Sequence, residues 1–287
     1  MCIFKKSKKE TSLAVLSKGV SDYNPFVSEE TENDNGSEFK KLSELLNKTE
    51  REVKDDCKYY LICKIMSKIG CLVAGYSPTE EELKNKINGL SSFDMGEIAA
   101  QPAYFKAIKR LSDKSAKPLK VSAVVDFPFG ETSFAAKKTE IKNCVKNGAE
   151  DVTVVIPKMV LTDSVKELKK QLKSLKKIKS ADIFTAISAE ELNESDIKSF
   201  LKSVQKFGTG RAAFIFGKTG ESELNEKLGF INKYKNKAKI KIFAGIENVK
   251  GAVKVLETGV DGIVTPCAQD ICSELVSAAG FKLKEKA

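Results

Sequence analysis

Histidine is absent from this 287-residue chain, and that absence limits the chemistry its other side chains could do. Without imidazole there is no Ser-His-Asp or Cys-His nucleophile pair and no His-ligated zinc, iron or copper. Acid–base work would fall to Lys, Asp, Glu, Tyr, Cys or water. The seven cysteines, at positions 2, 57, 63, 71, 144, 267 and 272, form no C-x-x-C pair. Their number is odd, and the opening residues MCIFKKSKK lack the apolar core of a secretion signal, so reduced thiols in a cytoplasmic protein are expected. The tetrapeptide GKTG at 217–220 lacks the upstream glycine and the spacing of a phosphate-binding loop, and no G-x-G-x-x-G follows a strand-like run. No cofactor and no metal are expected.

The elements that would position reactive groups begin after residue 44. Residues 1–44 mix polar and charged residues with isolated apolar ones (SEETENDNGSEFKK is typical), which is too little apolar surface to offset the entropy of ordering. They are expected to be a disordered tail, with one domain over 45–287. Within the tail, Cys2 beside a lysine cluster is read as incidental rather than as an acylated anchor, and NPF at 24–26 is too short to carry weight. Residues 47–69 read as a helix. SPTEEELKNKI reads as another, with Ser77 or Thr79 as its cap and acids in its first turn. After that, strand-like and helix-like runs alternate. The apolar runs 119–127, 150–157, 181–188, 211–217, 240–246 and 261–266 suit buried parallel strands. The intervening helical patterns include 164–180, which places Val165, Leu168, Leu172 and Leu175 on one face and a lysine stripe (Lys166, Lys169, Lys170, Lys173, Lys176, Lys177) on the other. Repeated βα units in about 240 residues favour a closed (β/α)8 TIM barrel with an additional N-terminal helix over an open sheet. No run of 18 apolar residues is present, so no membrane span is expected.

The strand ends bring a family into view. VSAVVDFPFGETSFAAKKTEIKNCVKNGAEDVTVVIP (121–157), FIFGKTG (214–220) and IKIFAGIENVKGAVKVLETGVDGIVT (240–265) resemble the deoxyribose-phosphate aldolases, the FPFG segment most specifically. The resemblance spans roughly residues 69–280. It implies class I aldol cleavage: a strand-end lysine forms an imine, a second lysine lowers the pKa of the first, and an aspartate moves protons. It also implies a phosphate site of backbone amides, cations and serines.

Carried over position by position, the resemblance gives a poor active site. The imine lysine falls at Phe216 and the aspartate at Thr153, while the second lysine survives as Lys241. The family's early Asp-His-Thr falls on Gly70, Cys71 and Leu72. On the phosphate side, Gly220 is kept but the lysine beside it becomes Glu221. The Gly-Gly turn reads Ala244-Gly245, the arginine becomes Glu247, and Thr265 is followed by Pro266 and Cys267 where the serines stand. Each reversal of charge turns attraction for a phosphate into repulsion, and Pro266 offers no N–H donor. The expectation is therefore a catalytically degenerate aldolase barrel that works through protein–protein contacts. The alternative is an active aldolase in which Lys218, two residues beyond Phe216, serves as a displaced imine lysine with Lys241 nearby.

The formal charge is +10, and residues 1–45 contribute seven lysines against eight acids, so the excess lies in the folded part. An acidic protein partner is expected. Nucleic acid is disfavoured because no basic segment is interleaved with aromatic residues. A homodimer is implied by the resemblance alone.

Overall fold

In the computed structural model, residues 4–6, 55–74, 77–217, 220–278 and 281–283 are described. The tail features at Cys2 and 24–26, and Lys218, lie outside them. The short strand β1 (Phe4–Lys6) pairs antiparallel with β10 (Phe281–Leu283). Between these two strands runs a closed barrel of eight parallel strands: β2 (Ile69–Val73), β3 (Glu97–Ala100), β4 (Val121–Val125), β5 (Asp151–Val155), β6 (Asp182–Ser188), β7 (Arg211–Ile215), β8 (Lys239–Phe243) and β9 (Gly262–Thr265). The barrel closes where Ile69, Gly70 and Cys71 of β2 lie against Ile263, Val264 and Thr265 of β9.

The helices among the described residues are α1 (Asp55–Met66), α2 (Glu80–Leu90), α3 (Pro102–Asp113), α4 (Phe134–Lys146), α5 (Lys158–Thr162), α6 (Val165–Lys176), α7 (Glu194–Phe207), α8 (Glu221–Tyr234), α9 (Val249–Glu257) and α10 (Ala268–Ala278). Thr79 caps α2. Its hydroxyl accepts from the Glu82 amide while the Glu82 carboxylate accepts from the Thr79 amide, a reciprocal arrangement that satisfies two otherwise orphaned donors. The (β/α)8 barrel expected from the alternation is present, and so is a helix ahead of its first strand. The strand β2 was foreseen only through the family's early motif at Gly70, Cys71 and Leu72, and β1, β3, β10 and the helices α3 and α10 were not picked out.

Strand alternation sorts the core into two layers. Outward-facing residues, such as Ile69, Ile98, Val152, Phe214 and Ile263, pack with the helices in one large cluster. Inward-facing residues form a second cluster with at least one member from every strand: Leu72, Ala99, Val124, Val155, Phe184, Ala186, Ala213, Ile215, Phe243 and Val264. All ten are buried. The leucine face expected on α6 is present, with Leu168, Leu172 and Leu175 buried, but Gln171 joins it in place of Val165, which is 64% exposed. Val165 stands in the first turn, where the neighbouring elements no longer cover it.

Candidate functional site

A barrel of this kind does chemistry at the C-terminal ends of its strands, with groups that point inward. Here the apolar inward positions nearest those ends are Leu72, Val124, Val155, Ile215, Phe243 and Val264, and on β6 the alternation places Ser188 there, level with Ile215. Phe127 packs on them from the loop after β4, its ring centroid 6.1 Å from that of Phe243. Among these strand-end side chains the Ser188 hydroxyl is the one polar group, and none is an amine or a carboxylate.

The structure changes the reading of Phe216. Its side chain belongs to the outer layer, 3% exposed, and its amide donates to the Phe243 carbonyl at 2.7 Å. The inward neighbour at the end of β7 is Ile215. The residue-by-residue carry-over therefore set the imine position on the helix-facing side of the strand, and neither residue is an amine. Thr153 does face inward, between Asp151 and Val155, and is buried.

Lys241 also points inward, but away from the mouth. Its ammonium donates to Glu97 Oε1 at 2.7 Å, Glu97 Oε2 at 2.9 Å and Asp151 Oδ2 at 2.9 Å. Glu97 and Asp151 are the first residues of β3 and β5, so the charge sits at the N-terminal end of the barrel. Lys120, on the rim below β4, approaches Asp151 Oδ2 at 3.4 Å from the same side. The Phe184 ring lies 4.4 Å from the Lys241 nitrogen, a favourable place for a cation. Burial pulls the Lys241 pKa down, but Glu97 and Asp151 outweigh it and hold the value above the ordinary one. The residue remains a charged ammonium, which is neither a nucleophile nor a strong perturber of the mouth. Burial opposes ionisation of Glu97 too, and there Lys241 outweighs it, leaving that carboxyl below its usual range. At Asp151 burial dominates and the pKa is raised.

Gly70 explains how Glu97 fits. A Cβ at position 70 would lie 2.9 Å from Glu97 Cγ and 3.2 Å from Val264 Cγ2. The family's aspartate at this place is thus replaced by space that the Glu97 side chain uses. Glu97, with Asp151, is the functional-looking pair that sequence reasoning missed. The available signal was an acid at the head of the short apolar run EIAA.

The FPFG segment, the most specific part of the resemblance, is held by structure-building contacts. Asp126 adopts φ 60° and Gly130 φ 75°, and the Phe127–Pro128 bond is cis. The buried Lys137 donates to the Gly130 and Val155 carbonyls, each at 2.7 Å, and lies 3.0 Å from Asp126 Oδ2. The Thr132 amide and hydroxyl donate to that same carboxylate oxygen. A Cβ at Gly130 would meet Val155 O at 2.8 Å, so backbone conformation and close approach both require glycine there.

The former phosphate positions do come together. Glu221, Gly245 and Glu247 line a cavity of about 390 Å³ with Asn248, Lys250 and Lys254. Glu221 is paired with Lys254 at 2.7 Å, a hydrogen bond that holds its carboxyl below the usual range. The simple repulsion expected from Glu221 is thereby reduced, and the cations and anions lining the cavity balance two against two. Gly220 has open space around it. Thr265 is buried and committed, its hydroxyl donating to Ile246 O at 2.7 Å. Pro266 is exposed. Among the described residues no cluster of three or more metal-ligating side chains exists, and no helix is long and apolar enough to cross a membrane.

Comparison with known proteins gives the fold and the sequence one answer. No protein-family profile matches the chain. Deoxyribose-phosphate aldolase of Mycoplasmoides gallisepticum is 29% identical over 202 residues, covering 69% of this chain and 88% of that protein. The Clostridium botulinum deoxyribose-phosphate aldolase is 30% identical over 148 residues, 47% of this chain and 68% of that protein. Among solved structures, an aldolase described as QR15 superposes with a TM-score of 0.65 at 22% identity, covering 74% of this chain and 96% of its own. The tetrameric deoxyribose phosphate aldolase of Aeropyrum pernix gives 0.64 at 18% identity, over 86% and 99%. The two structures share the (β/α)8 barrel fold of this chain. With the relatives in sequence, the chain belongs to the deoxyribose-phosphate aldolase family.

Proposed function

We propose that this chain keeps the family's barrel but does not cleave deoxyribose 5-phosphate. The observation that carries the reading is the sidedness of the barrel interior. The strand-end residues of the inward layer are apolar apart from Ser188 and include no amine, while Lys241 is neutralised at the opposite end by Glu97 and Asp151. Imine formation needs an uncharged amine within reach of the substrate carbonyl. Position 153 supplies a hydroxyl of ordinary alcohol acidity rather than a carboxylate, so the proton-moving acid that the family implies is absent from its position.

A coupled assay for glyceraldehyde 3-phosphate release tests this. The full chain, at 50-fold the concentration used for an active family member, is expected to give no release above buffer. Turnover within about a thousandfold of that enzyme would contradict the reading, since loss of nucleophile and proton shuttle together removes more than that.

A further inference from the structure

The lysines expected on the outer face of α6 are all exposed: Lys166, Lys169, Lys170, Lys173, Lys176 and, just past the helix, Lys177. The adjoining α7 adds exposed Lys198, Lys202 and Lys206. Of these nine, Lys170 alone has an acid within ion-pair distance among the described residues, Glu167 at 3.5 Å. Two of the unneutralised cations converge on one ring. Lys169 lies 4.9 Å and Lys206 5.5 Å from the Phe207 centroid. Glu194, on α7, offsets Lys198 in part, but charges of one sign gathered with so few counter-charges raise the local potential and attract an anion from solution.

The form of the face limits what that anion can be. The lysines sit on the outer surface of two neighbouring barrel helices, and helix spacing repeats them every turn along about 18 Å of α6. Lysine is a point charge without the planar fork that reads a particular carboxylate or phosphate. Interfaces with folded proteins are depleted in lysine and depend on buried aromatic or arginine anchors, which this face lacks. Its apolar contribution lies at one edge instead. Val165 heads the row that continues through Lys169, Lys173 and Lys177 at four-residue spacing, and Met159 lies on the preceding helix α5. Both are 64% exposed, and with Phe129 they are the exposed large apolar side chains among the described residues. Apolar side chains beside a field of lysines have a use at a lipid surface and none against a phosphodiester backbone.

We propose that the α6–α7 face binds an anionic lipid surface, with the lysines over the headgroups and Val165 and Met159 at the interface. This goes beyond the loss of aldolase activity and does not depend on it. The binding is peripheral and electrostatic, and it weakens as salt rises.

The test is sedimentation of the full chain with vesicles of phosphatidylcholine alone and of phosphatidylcholine with 30% phosphatidylserine. Binding to the second and not the first is expected. The variant K169E/K173E/K177E/K206E should lower the partition coefficient at least about a hundredfold, since each lysine near such a surface is worth about fivefold. A control with the same net charge, K84E/K106E/K138E/K142E, reverses four exposed lysines elsewhere and should stay within a factor of about five. Val165→Ser with Met159→Ser should weaken vesicle binding while leaving retention by a 30-mer single-stranded oligonucleotide unchanged. Absence of binding to phosphatidylserine vesicles overturns the proposal. So does an equal loss in the two four-lysine variants, which would mean net charge alone. Tighter binding to the oligonucleotide or to a polyglutamate peptide through the same lysines would assign the face to nucleic acid or to an acidic protein instead.

Discussion

Replacing Lys241 by Met would remove the one cation that the two interior carboxylates share. Glu97 and Asp151 are 6% and 2% exposed, and Asp151 Oδ1 already lacks a hydrogen-bond partner. Without the ammonium, Lys120 at 3.4 Å from Asp151 is the remaining cation of the group, and it is 44% exposed and partly screened. Methionine keeps an unbranched side chain to pack against Phe184, so the change is mainly electrostatic. Breaking a buried ion pair from one side costs about 3–5 kcal/mol, a large share of the roughly 5–15 kcal/mol that holds a domain. The pH dependence carries a sharper signature. In the native protein the two carboxyls act oppositely: the Glu97 pKa is lowered, so its stabilisation is present above the unfolded carboxyl pKa and is lost as pH falls through the folded value, while the raised Asp151 pKa favours the folded state as pH falls. In Lys241→Met, burial acts without its opponent and raises the carboxyl pKa values. The folded state then binds protons more readily than the unfolded one, and stability increases as pH falls from 7.5 to 5. Urea unfolding followed by circular dichroism at both pH values reads the two effects. Glu97→Gln combined with Lys241→Met should recover part of the loss at pH 7.5. A loss under about 1 kcal/mol, or a gain in stability from pH 7.5 to 5 no larger than the parent protein's, would refute the assignment of Lys241 to a buried ion-pair group.

Other outcomes follow from the same contacts. Phe216→Lys with Thr153→Asp should restore no measurable cleavage and should cost about 3 kcal/mol or more in urea, because position 216 faces the helix layer and would bury an amine there. Burial pushes the Cys71 thiol up to about 11, with Lys86 partly opposing, and Cys272 up to about 12. Thiols of the unfolded chain ionise at lower pH, so stability should fall as pH rises from 9 toward 11. Cys71→Ala with Cys272→Ala should flatten that fall in urea midpoints measured between pH 8 and 10.5. Gly130→Ala should cost at least about 2 kcal/mol, from its positive φ and its 2.8 Å approach to Val155 O. Gly220→Ala, with open space around the added methyl but a poorer N-cap for α8, should cost about 0.5–1 kcal/mol in the same denaturation series, less than Gly130→Ala.

The barrel was legible wherever the strands are apolar and β-branched, as in AVV, TVVI and GIVT, because buried parallel strands need such runs. Apolar patterning alone picks out neither β2 nor β3, for opposite reasons, and β2 entered only through the family's early motif. IGCLV is interrupted by the glycine that admits Glu97, and EIAA is short and rich in residues that favour helices. Neither reads as a strand until the barrel has to close. Spacing alone grouped Val165 with the leucines of α6, but burial at a helix's first turn depends on what neighbours it. The site was legible as a set of positions and not as a set of directions. Matching the family's motifs found that amines and acids were replaced, but a one-residue difference in facing moves a side chain to the other side of a strand. Phe216 proved to face the helices for that reason. Lys241 was visible as a surviving lysine, while its orientation depended on Glu97, which is 144 residues away in sequence and lies within hydrogen-bonding distance in the fold. The charge balance at Glu221 was hidden in the same way, because Lys254 stands on the next helix.

The measurement closest to the central claim is intact mass after borohydride reduction in the presence of deoxyribose 5-phosphate or acetaldehyde. Reduction traps any imine as a stable adduct, whether or not turnover follows. The account predicts an unmodified chain under conditions that label an active family member to completion. A stoichiometric adduct that peptide mapping places on Lys241 or Lys218 would contradict it and return the chain to the working aldolases.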